Sequence, residues 1–229
     1  MAEPMKVLDL FSGIGGFSLG LERAGMETVA FCESEPHAQK ILKKHWPKVK
    51  QYNDIKTLID DYDQEKPDVI CGGFPCQPFS SASHGKITAE DLWPYMAGVI
   101  WRLMPRFVIA ENVSEKAINQ VKADLEILNY ECITRKISAH NCGGWHRRNR
   151  YWLIAYSYKN SKLHSTIDAE TQKLPQLCKN LWTGENYASA LRVSDGVSNR
   201  VDRLARLGNS VIPQIPEAIG RAIMEQDNG

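Results

Sequence analysis

Lys6-Val7-Leu8-Asp9-Leu10-Phe11-Ser12-Gly13-Ile14-Gly15-Gly16-Phe17-Ser18-Leu19 reads as a short apolar strand that breaks at a glycine cluster and opens into a helix. Phe17, Leu19, Leu21 and Ala24 keep a helical pattern until Gly25, where a C-cap glycine is expected. Working outward, Thr28–Cys32 is the next strand and Asp68–Cys71 a third, the latter running into Gly72-Gly73. Arg106–Ala110 is a fourth strand and Tyr151–Ala155 a later one. Ser34 is read as the cap of a helix through Ile41 and Leu42 that ends before Pro47. Further helices are expected near 90–103 and 115–128, with Thr88 and Asp91 as a capping box for the first. Strands alternating with helices in this way predict an α/β fold: a Rossmann-like, mostly parallel sheet with helices on both faces. From Ser157 to about Arg200 the sequence is polar and weakly periodic, either a small inserted subdomain or a long loop region. A helix from about Pro216 to Met224 follows.

The 229 residues fit one sizeable domain with room for a small appendage. Hydrophobic content of 43% and charged content of 24% exclude a disordered tail protein, a collagen-like fibre and a disulfide mini-scaffold. No basic start leads into a long apolar run, and nowhere do about 18 apolar residues follow one another. A cytoplasmic location and no membrane contact are expected. The six cysteines are accordingly read as reduced thiols. Cys132, His140, Cys142 and His146 lie close in sequence, but no CxxC pair anchors them, so no metal site is assigned. The net charge of +1 first argues against a nucleic-acid partner, yet it is an average. Residues 136–206 hold twelve Lys and Arg against five Asp and Glu, a local charge of +7 beside a remainder of −6. That asymmetry restores the case for a polyanionic partner.

The glycine turn suits a small-molecule cradle. Glycines let the backbone approach a ligand, and open amides at the helix start favour an anionic group. Glu33 follows the second strand, at a spacing where an acid takes ribose hydroxyls. A dinucleotide or S-adenosylmethionine would suit this pair, although Ser18 stands where a dinucleotide fingerprint needs its third glycine. A tight strand–helix turn with no ligand is the bland alternative.

Gly72-Gly73-Phe74-Pro75-Cys76-Gln77-Pro78-Phe79-Ser80 carries the most chemistry. Ligands of an open parallel sheet bind at the carboxyl ends of strands, where strand order reverses. If the first strand and the strand before Gly72 flank that point, the glycine cradle and Cys76 share one crevice. Prolines on both sides stiffen the loop and favour a presented thiol nucleophile over an inert buried one. Cys71, inside the strand, keeps the inert reading. Glu111 ends the next strand, where partial desolvation would let it carry a proton; a surface Glu starting the following helix is the alternative. Arg148 and Arg150 alternate into the Tyr151 strand and would offer two cations on one side, or else a solvated basic turn.

These blocks, in this order, resemble the DNA (cytosine-5)-methyltransferases. The matching pieces are DLFSGIGGFSLGLERAG from Asp9, GGFPCQPFS from Gly72, ENV from Glu111, RRNRYWLIA from Arg147 and LGNSVIPQIPEAIGRAI from Leu207. The resemblance implies methyl transfer from S-adenosyl-L-methionine to carbon 5 of a cytosine flipped out of double-stranded DNA, leaving S-adenosyl-L-homocysteine. It gives Cys76 the covalent addition to carbon 6, Glu111 the ring nitrogen 3, Arg150 the ring oxygen, and Arg148 the extruded nucleotide. It puts Phe11, Gly13, Ile14 and Gly16 at the cofactor together with Ser34 and Ile55, Glu33 at its ribose, Asp54 near the adenine amino group, and Pro75, Asn209 and Ser210 at the methionine end. Ser80, Ser83 and Lys86 fall on the family's mobile loop over DNA. Arg147, Arg192, Arg200 and Arg203 are assigned to the DNA as well.

The expected division is 1–156 catalytic and cofactor-binding, 157–206 a reduced target-recognition region, and 207–229 returning to the catalytic domain. Trp145-His146 stand where the family has Pro-Gln, which questions that hydrogen-bond network. The compressed recognition region suggests a short phage- or prophage-type enzyme reading a short sequence. No obligatory protein partner is expected; a cognate restriction nuclease would be a companion. A tRNA cytosine-5 methyltransferase and an inactive DNA-binding homologue are the alternatives.

Overall fold

Seven strands form one sheet: β1 (Lys6–Leu10), β2 (Glu27–Cys32), β3 (Lys50–Tyr52), β4 (Val69–Gly72), β5 (Phe107–Asn112), β6 (Glu131–Ser138) and β7 (Asn149–Tyr156). The structure is a computed structural model that describes residues 3–75, 90–142, 149–157, 162–179 and 211–227. The strand order is β3-β2-β1-β4-β5-β7-β6. β1 to β5 pair in parallel, and β7 runs antiparallel to both β5 and β6. This is the mixed α/β fold with a mostly parallel sheet that the alternating pattern predicts.

The helices among the described residues are α1 (Gly16–Arg23), α2 (Pro36–His45), α3 (Ile55–Asp61), α4 (Trp93–Leu103), α5 (Glu115–Ile127), α6 (Leu163–Gln172), α7 (Leu174–Leu177) and α8 (Gln214–Asp227). Alternate strand residues feed two cores, as the period of two requires. Val7, Cys71, Phe107, Ile109, Trp152 and Ile154 face one layer, which α1, α6 and α8 fill with Leu21, Ile167, Ile219 and Ile223. Leu8, Leu10, Ile70, Val108 and Leu153 face the other, which α3, α4 and α5 fill with Leu58, Met96, Ile100, Val121 and Leu125. Strands covered on both faces read as near-continuous apolar runs, which is why the central ones are legible in sequence.

α1 and α8 cross where both carry glycine. A Cβ on Gly20 would sit 2.2 Å from the Pro213 carbonyl oxygen, and one on Gly220 would sit 2.8 Å from Ala24 Cβ. The two backbones can meet only because those atoms are missing.

Four readings need correction. Glu35, rather than Ser34, caps α2: its carboxylate accepts from the His37 and Ala38 amides at 3.2 and 2.8 Å. Pro36 takes the first helical turn, where a missing N–H costs nothing, and so fixes the cap at position 35. The expected capping box before α4 is not at the helix start, which is Trp93; Asp91 instead accepts from the Trp93 amide at 3.1 Å, and Thr88 lies outside the described residues. Residues 162–179 are not a separate subdomain or a loop. Leu163, Ile167, Leu174 and Cys178 are buried in the core shared with α8, and Arg135 holds Asp168 with two nitrogens at 2.7 and 3.0 Å. Finally, β3, α3 and β6 went unread in the sequence.

Candidate active site

Strand order reverses between β1 and β4, because the chain steps outward through β2 and β3 and then returns to the other side of β1. The crevice beyond the carboxyl ends of these two strands is therefore the place for a ligand. Both glycine segments end there, as the sequence requires.

On the β1 side the backbone turns sharply, with Phe11, Gly13 and Gly15 in the left-handed region at φ 52°, 55° and 85°. For Phe11 that conformation costs about 1–2 kcal/mol, strain that fixed surroundings must hold. Ser12 donates its hydroxyl to the Asp9 carbonyl at 2.6 Å. Below the loop, fully buried Asp9 accepts from the Ser18 amide at 3.2 Å and its hydroxyl at 2.7 Å. One carboxylate thus ties the end of β1 to the first turn of α1. Burial raises its pKa to about 7, against the two Ser18 hydrogen bonds that pull it down.

Glu33 lies at the end of β2 and accepts from the Gly13 amide and from the Glu35 amide, both at 2.7 Å. Its carboxylate is thereby fixed against the glycine loop. Ser34 is exposed beside it. Asp54 is exposed past the end of β3, where it caps α3 by accepting from the Lys56 amide at 2.9 Å; Ile55 is buried.

On the β4 side, Gly73 makes room for chemistry. A Cβ there would lie 2.9 Å from Glu111 Oε2. Glu111, 8% exposed at the end of β5, meets Arg150 Nε of β7 at 2.6 Å. The antiparallel register of β7 against β5 brings these side chains together, since Glu111 pairs with Trp152, two residues from Arg150. Buried Asn112 donates its amide to the Phe74 carbonyl at 2.9 Å, and its side-chain oxygen accepts from the Ser114 amide at 3.0 Å. It fastens the loop that leads through Pro75 toward Cys76 to the start of α5.

A cavity of about 60 Å³ joins the two sides, lined by Phe11, Gly13, Ile14, Gly16, Gly73 and Glu111, with Val211 across it. A Cβ on Gly16 would come within 2.7 Å of the Val211 carbonyl oxygen. Among the sequence-derived candidates, the structure gathers Phe11, Gly13, Ile14, Gly16, Glu33, Glu111 and Arg150 around one crevice. Cys76, Ser80, Ser83, Lys86, Arg147, Arg148, Arg192, Arg200, Arg203, Asn209 and Ser210 lie outside the described residues. Gly73, Asn112 and Val211 were not singled out as site residues. Only the position of Asn112 directly after Glu111 could have signalled its part. Among the described residues, no helix is long and apolar enough to cross a membrane.

The sheet order, glycine turn and paired Glu111–Arg150 define the class, and comparison with known proteins defines the family. The C-5 cytosine-specific DNA methylase family matches over residues 5–199, and the chain belongs to it. It is 34% identical over 178 residues to the type II methyltransferase M2.BsuMI of Bacillus subtilis, covering 69% of this chain and 43% of that protein. It is 34% identical over 181 residues to M.HindV of Haemophilus influenzae, covering 74% and 58%. The chain spans about half the length of the curated relatives it matches. In fold it resembles a DNA modification methyltransferase encoded within an Escherichia coli prophage, with a TM-score of 0.65 at 18% identity, covering 98% of this chain and 100% of that one. The Dnmt2 methyltransferase of Schizosaccharomyces pombe gives a TM-score of 0.61 at 22% identity, covering 85% and 61%.

Proposed function

We propose that this chain is a DNA (cytosine-5)-methyltransferase that modifies a flipped cytosine in double-stranded DNA through a covalent bond to Cys76. The observation that carries this reading is the position of Glu111: buried, paired with Arg150, and facing the cavity that also touches the glycine loop. Family membership supplies the reaction class. The crevice suits S-adenosyl-L-methionine in its donor set: the glycine loop lies at the carboxyl end of β1 beside the reversal of strand order, and the Glu33 carboxylate is held next to it by the Gly13 amide. When bound, that molecule supplies an electrophilic methyl group. Phe11, Gly13, Ile14, Gly16, Glu33, Ser34, Asp54, Ile55, Pro75, Asn209 and Ser210 are the residues proposed to hold it.

Carbon 5 of cytosine is a weak nucleophile, so the protein must activate it. The Cys76 sulfur forms a bond to carbon 6 while Glu111 hydrogen-bonds or protonates ring nitrogen 3, drawing electron density that carbon 5 can then use. Arg150, whose guanidinium already touches Glu111, orients the ring oxygen and keeps the carboxylate directed into the crevice. Arg148 supports the extruded nucleotide. After methylation, loss of the carbon-5 proton re-forms the ring double bond and releases the Cys76 thiolate.

Target recognition falls on the reduced region 157–206, with Arg192, Arg200 and Arg203; within it α6 and α7 pack one face on the core shared with α8. Ser80, Ser83, Lys86 and Arg147 add phosphate contacts. Such a small reader suits a short recognition sequence and a phage- or prophage-type enzyme, with or without a cognate nuclease.

The test is transfer of labelled methyl groups from S-adenosyl-L-methionine to mixed-sequence duplex DNA and, in parallel, to transfer RNA. Transfer to duplex DNA, with trapping on 5-fluorocytosine duplexes that Cys76→Ala abolishes, is the expected result. Transfer to RNA alone would replace this reading with the RNA one, and a parent protein that traps nothing would be an inactive binder.

A further inference from the structure

The whole-chain charge balance also conceals a second basic stretch, separate in sequence from 136–206. From Pro36 to Tyr52 the sequence holds five lysines and no acid: Lys40, Lys43, Lys44, Lys48 and Lys50. The fold brings four of them to one place. An open groove of about 690 Å³ runs between α2 and β3, lined by Lys40, Lys43, Lys48 and Lys50 together with Gln39 and Gln51. All four of these lysines are exposed.

The groove's polar floor is satisfied from within. The Gln51 side-chain amide bridges the Gln39 carbonyl and the Lys43 amide at 3.2 and 3.1 Å, and Gln39 donates to the Glu33 carbonyl at 2.6 Å. What the groove offers outward is ammonium groups. Lys50 is partly offset by Asp63 at 3.3 Å, and Lys43 reaches the Pro47 carbonyl at 2.9 Å without losing its charge. Lys40 and Lys48 meet no acid among the described residues.

Lysines on an edge strand discourage pairing with another chain, which accounts for Lys48 and Lys50 on and beside β3. It does not account for Lys40 and Lys43, which lie on a helix and line the same groove. Like charges brought together at low cost in solvent suit a partner with repeating negative charge.

We propose that this groove is a second contact surface for the phosphodiester backbone of duplex DNA, on the flank of the site being modified. The inference rests on the DNA-modifying reading above. Four strand spacings separate β5 from β3, about 19 Å in all. With a rise of about 3.4 Å per base pair, that is roughly six base pairs from Glu111 on β5. The contact would add affinity without reading sequence.

The experiment measures binding of a mixed-sequence duplex of about 40 base pairs by fluorescence anisotropy across a series of salt concentrations. The proteins are the parent, Lys40→Glu/Lys48→Glu, and Lys66→Glu as an exposed lysine outside the groove. The double variant is expected to bind about tenfold more weakly, with a salt dependence shallower by about two ions. Its methyl transfer at saturating DNA should be unchanged while its KM for DNA rises. An unchanged salt slope in the double variant, an equal loss in Lys66→Glu, or a loss seen only with transfer RNA as probe overturns the proposal. If the parent binds DNA but transfers no methyl group, the reading of the crevice fails, while the groove is still judged by its own slope.

Discussion

Asp9 and Glu111 are both buried carboxylates on strands that end at the same crevice, and they meet the cost of burial in opposite ways. Among the described residues Asp9 has no cation beside it, and it keeps its proton up to about pH 7, while two hydrogen bonds from Ser18 hold it in place. Glu111 has the Arg150 guanidinium at 2.6 Å and an open side toward the cavity. A carboxyl sealed under a loop can only brace it. One balanced by an adjacent cation and bordered by space can exchange partners when a ligand enters. Burial alone does not separate a strut from a working acid; the partner and the access do.

The largest expected effect that would break this distinction is on activity. Glu111→Gln preserves shape and removes the carboxylate, so methyl transfer should fall by roughly 10²–10⁴-fold. Its thermal unfolding should stay close to that of the parent. A fall in activity matched by loss of folded protein would make Glu111 a strut as well.

The next effect concerns stability against pH. The folded pKa of Asp9 is raised above its ordinary value of 3.8. Between about pH 4 and pH 7 the folded protein therefore holds a proton that the unfolded chain has released. Stability lost through this group as pH rises amounts to at most about 1.4 kcal/mol per pH unit. Asp9→Asn should flatten that slope and be favoured over the parent most strongly above about pH 7. Urea unfolding across the window checks it, and parallel curves for the two proteins would show that Asp9 titrates normally.

The smallest effect sharpens the contrast. Ser18→Ala removes the hydroxyl partner of Asp9 and should cost about 1–2 kcal/mol near neutral pH. The rate at saturating substrate should be little altered. A selective drop in rate would bring Asp9 into the chemistry.

What could be read from sequence follows burial. β1, β2, β4, β5 and β7 are apolar because helices or neighbouring strands cover them, and the glycines at the ends of β1 and β4 announce close approach. β3 is three residues, Lys50-Gln51-Tyr52, at the sheet edge, with no apolar run to find. β6 is half solvated, and its only sequence signal is Ile133 and Ile137, which share a buried face at even spacing between polar residues. α3 had its signal too, in Asp54 followed by Ile55, Leu58 and Ile59. Asp54, expected at a ligand, also caps α3 through its hydrogen bond from the Lys56 amide. The buried face of α6, Leu163, Ile167 and Glu170, was obscured by the polar residues between. In the site, the glycine loop and Glu111 were legible from their places at strand ends. The Glu111–Arg150 pairing was not, because it depends on β7 running against β5, which no local pattern encodes.

Val211 closes the cavity opposite Gly16, and α8 packs along α1. The loop after β1 is therefore finished by residues emitted some 195 positions later. At cellular rates of synthesis that interval is on the order of ten seconds or more. Throughout it, Phe17 and Leu21 have no α8 to cover them, so the nascent chain should be a client for chaperones. Ligand affinity should arrive abruptly, with α8, rather than growing as the sheet forms.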